Sequence, residues 1–209
     1  MKDTVQLIII WLIEYLELIA AALIVFASLV AVYKFFIKAR LKIIFDPNET
    51  YHERTVENGR QAIFLHLIIK NRGFVTARNC EGYLIKVMRF DKERHRFVFD
   101  DRFPAQLILK WAHEKDFSSK PILPRNKRPL DLVFAHPGDQ NLCLFTEHFP
   151  RGSNTFFTSG VYLVDIAVIS DNAKEVKGTF ELIWNADWKN IQVKKIGCFD
   201  KIKLFFRRE

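Results

Sequence analysis

Hydrophobic positions along the chain change their period once, near residue 40. Over residues 7–33 the sequence LIIIWLIEYLELIAAALIVFASLVAVY is apolar almost without a break. That exceeds the roughly 20 apolar residues a helix needs to cross a bilayer, and it is too continuous for an amphipathic surface helix. Beyond Arg40 the pattern alternates. In QAIFLHLIIKN (61–71), Ile63, Leu65, Leu67 and Ile69 share one face, with Ala62, Phe64, His66, Ile68 and Lys70 on the other; this predicts a strand with at least one buried face. CEGYLIKVMRF (80–90) and RHRFVFD (94–100) flank the charged turn Asp91-Lys92-Glu93 and predict a hairpin. Further strands are predicted over 41–45, 105–111, 129–135, 161–170 and 177–184. Turn-rich pieces separate them: Asn71-Arg72-Gly73, residues 118–129 with three prolines, His136-Pro137-Gly138-Asp139 and Asp171-Asn172. Between 41 and 190 there is no sustained helical period. Seven or more short strands punctuated in this way indicate a β-sandwich or barrel.

The pattern divides the chain into a short tail (1–6), a transmembrane helix (7–37), a basic juxtamembrane linker (38–42), a β-sandwich domain (43–197) and a basic-aromatic C-terminal tail (198–209). The apolar run is too long for a removable signal peptide and lacks its small-residue cleavage site. Basic residues flanking a membrane segment stay on the cytoplasmic side. Lys34, Lys38, Arg40 and Lys42 follow the helix, whereas Lys2 alone precedes it, so the N-terminus is expected outside and the β domain in the cytoplasm. Within the run, Glu14 and Glu17 lie three apart on one helical face. Ala21, Ser28 and Ala31 share that face, and Ala27 with Ala31 makes a small-xxx-small spacing that lets helices approach closely. These six residues are the candidate helix–helix interface of a self-associating anchor. The alternative places both carboxylates at the outer membrane interface, beside the interfacial aromatics Trp11 and Tyr15.

Composition adds a preference for anionic neighbours. The 209 residues carry a formal net charge of +8, 49% are hydrophobic, and 20 are Phe, a profile of a packed chain with an attraction to lipid headgroups, nucleic acid or acidic protein. For a tethered chain the membrane surface is the expected partner, and no nucleic acid is expected. Lys34, Lys38, Arg40 and Lys42 are candidate membrane-surface contacts, as are Arg207 and Arg208 in the tail KKIGCFDKIKLFFRRE, where cations alternate with Phe and Leu. The same tail also reads as a last strand or short helix docked on the domain. Cys80, Cys143 and Cys198 are odd in number and widely spaced, suggesting neither a disulfide framework nor a zinc site.

Catalytic patterns are missing. The six histidines show no H-x-x-x-H or H-x-H spacing, and there is no G-x-G-x-x-G, G-x-x-x-x-G-K-[ST] or G-x-S-x-G. No enzyme activity, cofactor or metal is expected. Two positions stand out locally. His66 lies mid-strand, where a packed histidine is the common outcome. Asp165, inside VYLVDIAVIS, either faces solvent or requires a partner such as an Arg or a hydroxyl. The stretch KPILPRNKR (120–128) reads as a solvated basic loop, and Trp111, Trp184 and Trp188 as core or rim packing.

FLHLIIKNRGFVTARNCEGYLIKV resembles the strand, Asn-x-Gly turn, Ala-x-Asn and following strand of CARDB-like, immunoglobulin-like sandwich domains of prokaryotic surface and membrane proteins. VYLVDIAVISDN with GTFELIWNADW resembles the closing hairpin of such a domain in small, uncharacterised membrane-anchored proteins. The resemblance covers about 41–190 and implies a mainly β fold, an immunoglobulin-like antiparallel sandwich, in an adhesion or scaffolding role. Such domains usually stand outside the cell, whereas the charge bias puts this one inside. The expected function is therefore a single-pass, non-catalytic interaction or scaffold protein, with a protein partner of unspecified identity and a homo-oligomer through the anchor. The rival expectation is a membrane effector whose β domain senses a small ligand while the anchor helices oligomerise.

Overall fold

A computed structural model of the chain describes residues 2–55, 61–104, 106–146 and 155–197, with the side chains of 2–10, 12–14, 34–35 and 50–55 left outside the description. The chain divides into two units, Met1–Lys38 and Ala39–Glu209. The first is a single helix, α1 (Lys2–Ile37). It takes in most of the expected N-terminal tail. At 1.5 Å per residue it is about 54 Å long, well over the roughly 30 Å of a bilayer's hydrocarbon core. Its stretch Tyr15–Tyr33 has a mean hydropathy of 2.4 and none of it is buried; the helix is long and apolar enough to cross a membrane.

The second unit is an antiparallel sandwich. In chain order its elements are β1 (Leu41–Ile44), the one-turn helix α2 (Pro47–Thr50), β2 (Tyr51–Thr55), β3 (Gln61–Asn71), β4 (Ala77–Asp91), β5 (Arg96–Phe99), β6 (Leu107–Leu109), β7 (Lys120–Ile122), β8 (Lys127–Ala135), β9 (Leu142–Leu144), β10 (Phe156–Phe157), β11 (Gly160–Ile169), β12 (Val176–Trp184) and β13 (Gln192–Ile196). One sheet runs β1-β3-β8-β9-β10, with β2 continuing beside β3 where β1 stops; the other runs β13-β12-β11-β4-β5, with β6 and β7 along the same edge of β4 as β5. Every predicted strand is present. The expected linker is shorter than predicted, because Leu41 and Lys42 already pair with Asn71 and Lys70.

β1, β3 and β8 in one sheet facing β4, β11 and β12 in the other is the A-B-E against C-F-G distribution of immunoglobulin-like sandwiches. A second mark of that class is the corner before β11: the buried Tyr162 donates its hydroxyl hydrogen to the Thr158 carbonyl at 2.9 Å. The sheets are held together by packing, since Cys80 and Cys143 are free thiols. Ile63, Leu65, Leu67 and Ile69 of β3 meet Leu84, Val164, Phe180 and Trp184 from the facing sheet. Their alternation is the period read from the sequence, because successive strand residues point to opposite faces. At Gly82 the sheets come so close that a Cβ would collide with the methyls of Leu130.

Two bulges interrupt that alternation. β8 gains Leu132 against the step Leu65/His66, and β4 gains Ile85 against the step Asp165/Ile166. Each extra residue restores the inward set on its strand while leaving a polar side chain outward.

The end of the sandwich at which the chain enters is organised by Asn71, which has no exposed surface. Its Oδ1 accepts the N–H groups of Arg40 at 3.2 Å and Gly73 at 2.9 Å. Its Nδ2 donates to the carbonyls of Val75 at 2.7 Å and Ile122 at 3.0 Å. All four positions of the amide are thus engaged. Asn71→Ala is expected to destabilise the full chain in detergent by about 2–4 kcal/mol, through lost bonds and buried groups left unpaired. Urea unfolding followed by tryptophan fluorescence measures it; a loss below about 1 kcal/mol, the size of a single ordinary bond, would show that this end is held by something else.

Candidate functional site

The residues singled out from the sequence fall in three places. On α1, Glu17, Ala21, Ala27, Ser28 and Ala31 are exposed. Ser28 donates to the Ile24 carbonyl at 2.8 Å, so its hydroxyl is satisfied within the helix. Glu14 and Lys34 are helical, and their side chains lie outside the described residues, as do Arg207, Arg208 and the whole 198–209 tail. Lys38 and Arg40 are exposed at the entry to the domain, and Lys42 points outward from β1.

Around Asn71 the structure gathers segments far apart in sequence. Its backbone N–H donates to the Asn126 carbonyl at 2.9 Å, and the Arg72 N–H to the Arg40 carbonyl at 2.6 Å. On the neighbouring side Asn172 accepts the Arg78 N–H at 2.9 Å and donates to the Thr76 carbonyl at 2.8 Å. Asn79, held at φ 47°, donates to Asp171 at 2.6 Å. Ala39 pairs with Ala173 in an isolated bridge. The result is a rim built from residues 39–40, 71–79, 122–126 and 170–173. Two large apolar side chains stand on it, Phe74 at 43% exposure and Leu123 at 57%, and the Arg125 guanidinium lies 4.5 Å from the Phe74 ring.

The stretch 120–128, expected as a solvated loop, is a strand, turn and strand start whose residues 123–127 are exposed. Lys120–Ile122 is β7, Lys127 opens β8, and between them Asn126 N–H closes a turn on the Leu123 carbonyl at 3.2 Å. Lys120 reaches Glu114 at 3.2 Å and Asp116 at 3.1 Å, Arg128 reaches Glu114 at 3.0 Å, and Lys127 pairs with Glu49. The Ser118 hydroxyl and Lys120 together hold the exposed Asp116 carboxyl down at about 2.

Strand register sets three lysines side by side on the outer face of the first sheet: Lys42 opposite Lys70, and Lys70 opposite Lys127. Like charges directly opposite repel. At the edge between the sheets Lys195 donates to the Ile43 carbonyl at 2.7 Å; burial of its stem and the nearby Lys42 both lower its pKa.

His66 and Asp131 form the one pair of titratable side chains among the described residues in which both partners are buried. They are cross-strand neighbours at the β8 bulge, with His66 Nδ1 against Asp131 Oδ1. Phe64 stacks on the imidazole with centroids 6.3 Å apart, and His113 approaches to 6.2 Å. His66 was expected to pack; Asp131 as its partner was missed, although Leu-Asp-Leu within an apolar strand is the same signal that marked Asp165. Asp165 itself is on the outer face and half-buried, and it accepts the hydroxyl of Thr179. Trp111 and Trp184 are core residues whose indoles donate to the carbonyls of Cys80 and Gln140 at 3.1 and 3.0 Å.

Open clefts lie on the outer surface, one of about 630 Å³ beside Arg89 and Gly160 and one of about 420 Å³ beside Asp165 and Lys195. Among the described residues no three His, Cys, Asp or Glu side chains converge on a metal-sized site. The geometry is that of surfaces. Removing one partner of a buried polar pair leaves the other's polar atoms unpaired, and is far more damaging than replacing both. Asp131→Ala should therefore cost roughly 3 kcal/mol in urea unfolding, while His66→Phe combined with Asp131→Val recovers most of the loss; a double variant as weak as Asp131→Ala would mean the pair is not a self-contained unit.

Comparison of the chain with protein-family models, curated proteins and solved structures returns no match.

Proposed function

We propose that the chain is a single-pass membrane protein that holds a non-catalytic immunoglobulin-like sandwich at the cytoplasmic face, where it acts as an interaction or scaffold module. The observation that carries this reading is the 36-residue α1, whose apolar stretch Tyr15–Tyr33 is exposed along its length. An apolar surface of that extent is stable only against lipid or protein. The flanking charges support the orientation, with Lys34, Lys38, Arg40 and Lys42 on the inner side. The space between the sheets is filled by Trp111, Trp184, Tyr162, Phe157 and Phe180, all fully buried. A filled interior favours an outer surface as the working part over a ligand cavity between the sheets. The resemblance to CARDB-like domains points the same way by analogy. Confining the domain to a plane raises its effective concentration toward other membrane-bound partners, which is the physical use of such a tether.

Orientation is testable by labelling. Cys143 is a poor reporter, because burial and then the nearby Asp139 push its thiol pKa up and lower its thiolate fraction. Glu93→Cys on the exposed β4–β5 turn is a better one. A membrane-impermeant maleimide should modify it only after cells are permeabilised; modification in intact cells would reverse the orientation. If α1 self-associates through its small residues, Ala27→Leu with Ala31→Leu should lower helix–helix crosslinking in native membranes. Crosslinking equal to that of the parent chain would remove that interface.

A further inference from the structure

We infer that the Asn71-centred rim of the sandwich is a lipid-contact surface, with Phe74 and Leu123 entering the interfacial layer of an anionic bilayer and the surrounding cations meeting its phosphates. This rests on the proposal that α1 spans the membrane, and it adds a second attachment borne by the β domain itself.

Three observations converge on it. The first is placement along the chain. The apolar span ends at Tyr33, and Ala39 is already bridged to Ala173. Six residues reach at most about 20 Å even when extended, so the rim stays close to the headgroup layer whatever angle the helix takes to the domain. Phe74 and Leu123 cannot drift from that point, because Asn71 bonds directly to Arg40, Gly73, Val75 and Ile122.

The second is the chemistry of the rim. Two large exposed apolar tips share that rim with the exposed cations Arg40, Arg72, Arg78 and Arg125. The acid among them, Asp171, is bonded to Asn79. One residue behind Asn71 stands the row Lys42, Lys70 and Lys127, in which Glu49 offsets the last. Adjacent lysines in register repel, and an anionic surface is what relieves them. Apolar side chains flanked by Lys and Arg are the pattern that binds the interface of anionic membranes.

The third is backbone strain at the tip. Arg125 sits at φ 62° in the turn closed by Asn126 and Leu123. That conformation belongs to glycine or asparagine and is disfavoured for a long side chain. Gly at this position would fold at least as well; Arg adds a guanidinium over Phe74.

The test uses the full chain in nanodiscs of phosphatidylcholine, with or without phosphatidylglycerol. Spin labels are placed singly at Leu123→Cys, Phe74→Cys, Glu93→Cys and Leu23→Cys, in a background of Cys143→Ser and Cys198→Ser with the fully buried Cys80 left in place. Labels at 74 and 123 should collide preferentially with oxygen, which concentrates in the bilayer, and the label at 93 with an aqueous nickel chelate. Lys42→Gln with Lys70→Gln removes two repelling cations and should leave stability unchanged or higher, while weakening docking in the anionic discs about fivefold per charge. If label 123 is as open to nickel as label 93 while label 23 collides with oxygen, the helix is inserted and the rim proposal is wrong. If label 23 also meets nickel, the spanning helix itself is wrong. A label at 123 exposed in pure lipid discs yet shielded from both reagents in native membranes would give the rim to a protein partner and overturn the lipid assignment.

Discussion

Everything at the entry end of the sandwich depends on one buried amide. Asn71 is the last residue of β3, and a polar side chain there can be fully buried only if each donor and acceptor finds a partner. It finds four, drawn from the chain entering the domain, from the turn that follows β3 and from β7 in the other sheet. An amide with two donors and one two-lone-pair acceptor can join that many segments; a hydroxyl or carboxylate there would leave groups unpaired. The point where the chain enters the domain is thereby tied to the crossing between the sheets. The exposed Phe74 and Leu123 are carried on the loops that this amide fastens.

The remainder of the domain is held by area rather than by particular bonds. Trp184, Tyr162, Phe157 and Phe180 are fully buried, and burying an aromatic side chain is worth a few kcal/mol. Bulges let β4 and β8 keep their apolar residues inward while releasing a polar group outward. Asp131 and Asp165 arise in this way: each sits next to a bulge, and each takes its partner from the adjacent strand, His66 for one and Thr179 for the other. Both polar pairs are products of register and lie on outer faces of the sheets, the His66–Asp131 pair buried there with Phe64 and His113 against the imidazole.

Charge is distributed with a purpose that packing does not require. Several cations are neutralised locally, as Lys120, Arg128 and Lys127 are by Glu114, Asp116 and Glu49. Lys42 and Lys70 instead face each other across the sheet.

Periodicity by itself determined the two units and eight of the thirteen strands among the described residues. β3 runs from Gln61 to Asn71, as its alternation indicates, and α1 follows the continuous apolar run. A face is a local property, repeated every two residues in a strand, so it can be read from one segment alone. The short β2, β7, β9, β10 and β13 escaped that reading because two to five residues are too few to establish a period. What a segment meets across a sheet or at a sandwich end is not local. Asp131 facing His66, the three lysines in a row, Arg125 over Phe74 and the joining of Asn71 to Arg40 and Ile122 all depend on register, bulges and crossings between residues 28 to 65 positions apart, and only the tertiary structure decided them. The Asn-Arg-Gly sequence announced a turn; that its first residue anchors an entire end of the domain follows from burial, which the sequence does not display.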